Sequence, residues 1–212
     1  AVRKNLIHLL NNDFEYMLIL SGDQLYRMDF REIIASHLER EAELTVATIP
    51  VNRDHANGFG IMHNDEQGRI SRFVEKPSTN ELLDSLRLPA AQLAEQGLKP
   101  DQDHYLASMG IYLFNRQTLI ELLENEMTDF GKHIIPRSID TNAVYSHVYQ
   151  GYWEDIGTVR AFFEANLQLT DPVPAFDFYD EDGPIYNYPD ILPTAKVTDC
   201  SIDRAIVASG AM

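Results

Sequence analysis

Three short segments of this sequence carry the side chains best suited to chemistry. They are Ser21-Gly22-Asp23, Glu75-Lys76-Pro77 and Trp153-Glu154-Asp155-Ile156-Gly157-Thr158. Each follows a strand-like run or precedes a helical pattern, and in an open α/β sheet ligands bind at the carboxyl ends of the strands. Asp23 comes directly after the apolar run YMLILSG. A carboxylate there can give one oxygen to a hard cation such as Mg²⁺, which takes its other ligands from substrate phosphates and water. The plainer reading is that Asp23 caps a turn. Lys76 offers a compact cation for a phosphate, and Glu75 offers acceptors for hydroxyls. Pro77 keeps Lys76 out of helical geometry. Alone, the pair also reads as a surface ion pair. Asp155 can supply a second carboxylate to a metal, or it can merely cap the helix that Thr158 opens, with Trp153 as packing.

Composition narrows the functions these groups can serve. Lys and Arg number 17 against 33 Asp and Glu, a formal charge of −16. A chain this acidic repels nucleic-acid backbones and anionic lipid, although a few local cations can still hold a small phosphorylated ligand. Hydrophobic residues make up 44% of the 212, enough for a buried core. The single cysteine, Cys200, allows neither an internal disulfide nor a thiolate zinc site. No apolar run approaches the roughly 18 residues of a membrane span. The seven histidines form no metal-ligand spacing, and neither a Walker loop nor a Gly-x-Ser-x-Gly elbow is present. The reading is a soluble, intracellular protein without a nucleic-acid or membrane partner.

The elements that must position the three segments follow from periodicity. Residues 16–22 read as a strand buried on both faces. Asp29 is placed to cap a helix over 30–40, and 44–50 read as the next strand, stopped by Pro50. This strand–helix–strand order predicts a parallel βαβ unit. Residues 60–75 read as a hairpin turning at DEQG, and 78–104 as a polar insertion with helical stretches near 81–86 and 89–96. Residues 105–114 and 143–150 read as strands, and 116–125 and 158–169 as helices. Residues 170–193 are rich in Pro, Asp and Tyr without period, which reads as a linker. The last stretch fits either the first coil of a β-solenoid or a pair of strands. The chain opens in an uncapped helical pattern and closes inside a strand-like one, which predicts a segment of a longer protein.

Taken in order, LILSGDQLYRMDF, FGIM, FVEKP, LASMGIYLF, DFGKHIIP and GYWEDIGT resemble the ADP-glucose pyrophosphorylase (glucose-1-phosphate adenylyltransferase) family along almost the whole chain. EKP is shared by many sugar-nucleotide pyrophosphorylases, whereas SGDQLYRMD, ASMGIY and YWEDIGT are more specific. The resemblance implies an α/β fold: a mostly parallel, Rossmann-like nucleotide-diphospho-sugar transferase sheet flanked by helices. The domains would be a nucleotidyltransferase part over 1–169, a linker over 170–193 and the start of a left-handed β-helix over 194–212.

The activity implied is ATP plus glucose 1-phosphate going to ADP-glucose plus pyrophosphate, with Mg²⁺, in glycogen or starch synthesis. By the same resemblance Asp23 is a catalytic residue and, with Asp155, holds the metal. Lys76 binds the phosphate of glucose 1-phosphate. Glu75 and Ser108 hold glucose hydroxyls, Gly60 lets the backbone approach the sugar, and Asp129 belongs to the substrate site. The family's glycine-rich nucleotide loop would lie before residue 1, so the chain alone is expected not to turn over ATP. A homotetramer in the cytoplasm, or in the plastid of a plant, is implied. Two readings compete: a sister pyrophosphorylase using another nucleotide, and a non-catalytic regulatory subunit of the same family.

Overall fold

A computed structural model describes residues 2–99, 102–127, 129–181, 183–186 and 191–211. The chain divides into two units, residues 1–21 with 28–150, and residues 22–27 with 151–212.

The first unit is built on a six-stranded sheet. Its strands are β1 (Tyr16–Ile19), β3 (Leu44–Asn52), β4 (Gly60–Asn64), β5 (Ile70–Glu75), β6 (His104–Asn115) and β7 (Val144–Val148). The order is β5-β4-β6-β3-β7, with β1 pairing the C-terminal half of β6. Helices α1 (Val2–Leu9), α2 (Phe30–Glu39), α3 (Arg53–Ala56), α4 (Asn80–Asp84), α5 (Ala90–Glu95), α6 (Arg116–Leu123) and α7 (Ile135–Thr141) complete the unit. The α/β class is as expected, and the sheet is mixed. Among the described residues only β3·β7 is a parallel ladder; β1·β6, β3·β6, β4·β5 and β4·β6 are antiparallel. The strand–helix–strand unit does form, because β1 and β3 run the same way. They are not neighbours: the long β6 lies between them and pairs with both.

Two strands depart from the sequence reading. The run 16–22 narrows to β1, which is not buried on both faces: Tyr16 is 39% exposed, and Met17, Leu18 and Ile19 are only partly buried. Among the described ladders β1 pairs on one side only, so it is an edge. Pro50 does not stop β3, which continues to Asn52. The β3·β7 ladder has already ended at Thr48↔Val148, so among the described residues one side of β3 has no partner strand beyond that point, and a missing N–H is tolerated.

The core lies where the sheet meets α6 and α7. Leu44, Met62, Phe114, Leu119, Ile135 and Val144 are buried in one cluster. A second cluster joins Ala56 of α3 and Leu83 of α4 to Ile61 and Tyr105 on the sheet. Local polar bonds set the helix ends. Asp29 accepts from the Arg31 N–H at 3.0 Å, and the Arg31 guanidinium holds its carboxyl at about 2. The hairpin turns as expected, with Asp65 Oδ1 accepting from the Gln67 and Arg69 N–H groups and Gly68 at φ 79°.

In the second unit β2 (Gln24–Tyr26) and β8 (Trp153–Asp155) form a two-stranded antiparallel ribbon. Helix α8 (Val159–Gln168) follows, capped by Thr158, whose hydroxyl accepts from the Ala161 N–H at 3.1 Å. Among the described residues after 170 no helix or strand is assigned. Residues 193–211 close on themselves through Lys196 N–H to the Ala211 carbonyl at 2.9 Å and Gly210 N–H to the Pro193 carbonyl at 2.8 Å. Ile191 and Leu192 before this stretch, and Val197 and Ile202 within it, are more than half exposed.

His37, on α2, is 1% exposed and fixed at both ring nitrogens, by Thr45 Oγ1 at 2.8 Å and Asn115 Oδ1 at 2.9 Å. The Asn115 amide oxygen accepts, so His37 Nε2 carries the proton and Nδ1 accepts from Thr45. Burial pushes its pKa below the ordinary value, with the Asn115 contact opposing, and burial also lowers His147. The unfolded chain therefore binds protons first as pH falls. The stability these groups contribute is complete above the unfolded value of about 6.5 and is lost as pH falls towards the lower folded values. We expect the melting midpoint to drop by a few degrees between pH 7.5 and 5.5 (about 2–4 °C per kcal/mol lost), with a smaller pH slope in His37→Gln. An equal slope in that variant, read by calorimetry, removes His37 from the account.

Candidate functional site

The ribbon of the second unit brings together two carboxylates far apart in sequence. Gln24 pairs with Asp155, which sets Asp23 beside the end of β8, and the Ile156 N–H donates to the Asp23 carbonyl at 3.0 Å. The chain then turns at Gly157, whose N–H donates to Asp155 Oδ1 at 2.8 Å. A Cβ added at Gly157 would lie 2.9 Å from Asp155 Oδ1 and 3.2 Å from Asp23 Oδ2. Both side chains thus face one small space that only glycine leaves open.

A pair of carboxylate oxygens around such a space fits a small, hard divalent ion. Mg²⁺ is held by one or two carboxylates and takes water and phosphate oxygens for the rest. Among the described residues no group of three or more His, Cys, Asp or Glu forms a fuller cage. Two carboxylates alone could hold such an ion only with its remaining positions filled by oxygen atoms from outside the chain.

The first unit gathers the other predicted residues around Glu75, at the end of β5. Gly60 is its cross-strand partner, and a Cβ there would meet Glu75 Oε2 at 2.7 Å and would also collide with the Phe73 ring. Gly131 approaches from the other side, where a Cβ would meet Glu75 Oε2 at 2.6 Å and Asp129 Oδ1 at 3.6 Å. Gly131 belongs to a π-helical turn, Phe130–Ile134, which Asp129 caps by accepting from the Lys132 N–H at 2.8 Å. Burial pushes the Glu75 carboxyl up; Lys76 opposes this, Asp129 adds to it, and Lys132 opposes it.

A β-bulge delivers the hydroxyl groups. Along β6 the register jumps from Val46↔Tyr112 to Thr48↔Ser108, and Gly110 inside the jump adopts φ 69°. Ser108 Oγ accepts from the Gly110 N–H at 3.3 Å. The Tyr112 pKa is raised, chiefly by burial and further by the charges of Glu75 and Asp129. The Tyr112 ring stacks on Phe130 at 5.5 Å, tying the bulge to the π-helical turn.

Lys76 follows Glu75 in a left-handed conformation, φ 49°, and its N–H donates to the Phe59 carbonyl at 3.0 Å. Pro77 does keep it out of the right-handed helix, but the strand-like geometry usual before proline gives way to a strained one. Its side chain is exposed.

Each predicted residue therefore falls into one of two clusters. Asp23 and Asp155 meet within the second unit. Gly60, Glu75, Lys76, Ser108 and Asp129 gather within the first. The sequence reading missed Gly131, Tyr112 and Lys132 beside Glu75, and it gave Gly157 no role of its own. The signal for Gly131 and Lys132 lay in DFGKHIIP, where a glycine and a lysine directly follow the Asp129-Phe130 pair.

The nucleotidyl transferase family profile matches residues 1–172. The chain belongs to the nucleotidyl transferase family. This nucleotidyl transferase is also similar to the glucose-1-phosphate adenylyltransferase small subunit, chloroplastic/amyloplastic, of Triticum aestivum, at 41% identity over 205 residues. The match covers 94% of the present chain and 43% of the wheat protein, so the chain spans less than half the length of that relative. No helix among the described residues is long and apolar enough to cross a membrane.

The strain at Lys76 is measurable. Lys76→Ala keeps a Cβ in the left-handed region, whereas Lys76→Gly removes it. We expect the glycine variant to be the more stable of the two by about 1 kcal/mol in denaturant titration. Equal stabilities contradict a strained backbone at this position.

Proposed function

We propose that the polypeptide carrying this chain is a glucose-1-phosphate adenylyltransferase, forming ADP-glucose and pyrophosphate from ATP and glucose 1-phosphate. The observation that carries the reading is the convergence of Asp23 and Asp155 at Gly157. The wheat relative's name and the family profile support it.

In this reaction a phosphate oxygen of glucose 1-phosphate attacks the α-phosphorus of ATP. A P–O bond to the hexose phosphate forms, and the bond to the β-phosphate oxygen breaks in line. The attacking oxygen is already anionic, so no side chain has to remove a proton. The chain has instead to hold two mutually repelling anions and offset the charge on the phosphoryl group. Asp23 and Asp155 would hold Mg²⁺, which when bound supplies positive charge to the phosphate oxygens. Lys76 receives the phosphate of glucose 1-phosphate. Glu75 accepts from glucose hydroxyls, and Ser108 stands on the bulge as a further partner. Asp129 acts by fixing the turn that carries Gly131. Gly60 and Gly131 leave the sugar room to approach, since a side chain at either would collide with Glu75. A homotetramer is the assembly we infer for the whole protein.

The test is nucleotidyl transfer by the parent polypeptide, assayed with glucose 1-phosphate and ATP, UTP or dTTP. We expect ATP to be preferred and Asp23→Asn to lower kcat by about 100-fold or more. An unchanged, low rate in that variant identifies a regulatory subunit, and a preference for UTP or dTTP identifies a sister pyrophosphorylase; either result overturns the proposal.

A further inference from the structure

The ribbon that brings Asp23 and Asp155 together has a second end, and the stretch after α8 is fastened to it. The last pair of the ribbon is Tyr26↔Trp153, so Arg27 and Tyr152 stand just beyond it, one on each strand. Phe176, only 6% exposed, touches both. The Arg27 guanidinium lies 5.1 Å from the centre of its ring, and the Tyr152 ring lies 5.8 Å from it. One buried side chain therefore joins the two strands where their backbone pairing stops.

Arg27 adds directed bonds to this packing. Its Nη1 donates to Asp180 Oδ2 at 2.6 Å, and its Nη2 donates to the Asp177 carbonyl at 2.6 Å. The planar guanidinium holds two points of one turn and faces an aromatic ring in the same pose, which suits arginine and not lysine. Gly183 closes over its stem, since a Cβ there would lie 2.5 Å from Arg27 Cδ. On the other strand the Tyr152 hydroxyl donates to Gln168 Oε1 at 3.4 Å, at the end of α8.

The size of the ribbon gives this fastening its consequence. Three cross-strand pairs are few to hold two strands by themselves. With the far end loose the strands can fray, and the spacing of the two carboxylates at the near end changes with them. Arg27 stands four residues from Asp23, about 13 Å along a strand that rises roughly 3.3 Å per residue. That exceeds the screening length of about 8 Å at physiological salt. The charge of Arg27 is therefore largely screened from the pair, whereas its hold on the strand is transmitted by the backbone.

We propose that Arg27 is a positioning residue for the two aspartates. With Phe176 and Asp180 it locks the far end of the ribbon and so sets the Asp23–Asp155 pair for a divalent cation. This rests on the reading of that pair as cation ligands, and it makes the stretch after α8 a determinant of cation affinity.

The test is Mn²⁺ titration of the full chain, with affinity read from broadening of the Gly157 amide and folding of each variant read from the amides of the first unit. Asp180→Asn should weaken binding about 3–10-fold. Glu181→Gln makes the same change of charge one residue away, outside the Arg27 ion pair, and should leave the affinity unchanged. Arg27→Gln should also weaken binding, although loss of a positive charge by itself would strengthen the hold on a cation. If Arg27→Gln fails to fold, the comparison of Asp180→Asn with Glu181→Gln decides. Equal affinities in those two variants, or tighter binding in Arg27→Gln, overturn the positioning role and leave the cation site standing. No broadening of Gly157 in the unaltered chain overturns the cation site and the positioning role together.

Discussion

The structure of the proposed chemistry depends on a ribbon of three residue pairs. Gln24↔Asp155, Leu25↔Glu154 and Tyr26↔Trp153 hold Asp23 and Asp155 side by side, although well over a hundred residues separate them. Two carboxylates repel, so neither would choose this arrangement unaided. The backbone imposes it: the Ile156 N–H on the Asp23 carbonyl and the Gly157 N–H on Asp155 Oδ1 fix both acids. A divalent cation held there would turn that repulsion into coordination. The absence of a side chain at residue 157 keeps the space open.

The Glu75 cluster shows the same pattern of local cost. Burial works against the charged form of Glu75, Lys76 sits at φ 49°, and β6 interrupts its register around Gly110. None of these features favours folding, and each is a residue-level departure from the regular sheet. They occur together, around the acceptor proposed for a sugar hydroxyl. Strain and partial desolvation concentrated at one place are what a binding site requires and a structural hairpin does not.

What could be read from the sequence was what short-range bonds decide. Asp29, the turn at 65–68 and Thr158 each bond within four residues, so α2, the hairpin and α8 were legible. What pairs at long range was not. β2 and β8 are three residues each, too short for a period, and they exist only because they find each other. The placing of β6 between β1 and β3 made the expected parallel neighbours antiparallel to a shared partner. The turn at 130–134 was likewise missed, because its capping aspartate carries no local sign of a π-helix. For the site, charged residues at strand ends stood out, while the residues that shape the space around them did not. Gly131 and Tyr112 reach Glu75 only through the tertiary fold.

The most direct test of the account is the position of a paramagnetic cation. Mn²⁺ substitutes for Mg²⁺ in oxygen sites and broadens nearby amide resonances. Titrated into the chain, it should broaden Gly157 and Ile156 first. Asp23→Asn and Asp155→Asn, each changing one carboxylate without loss of volume, should each remove that effect. Broadening that survives in both variants, or that centres on another acidic part of this −16 chain, would contradict the convergence of the two aspartates on one ion.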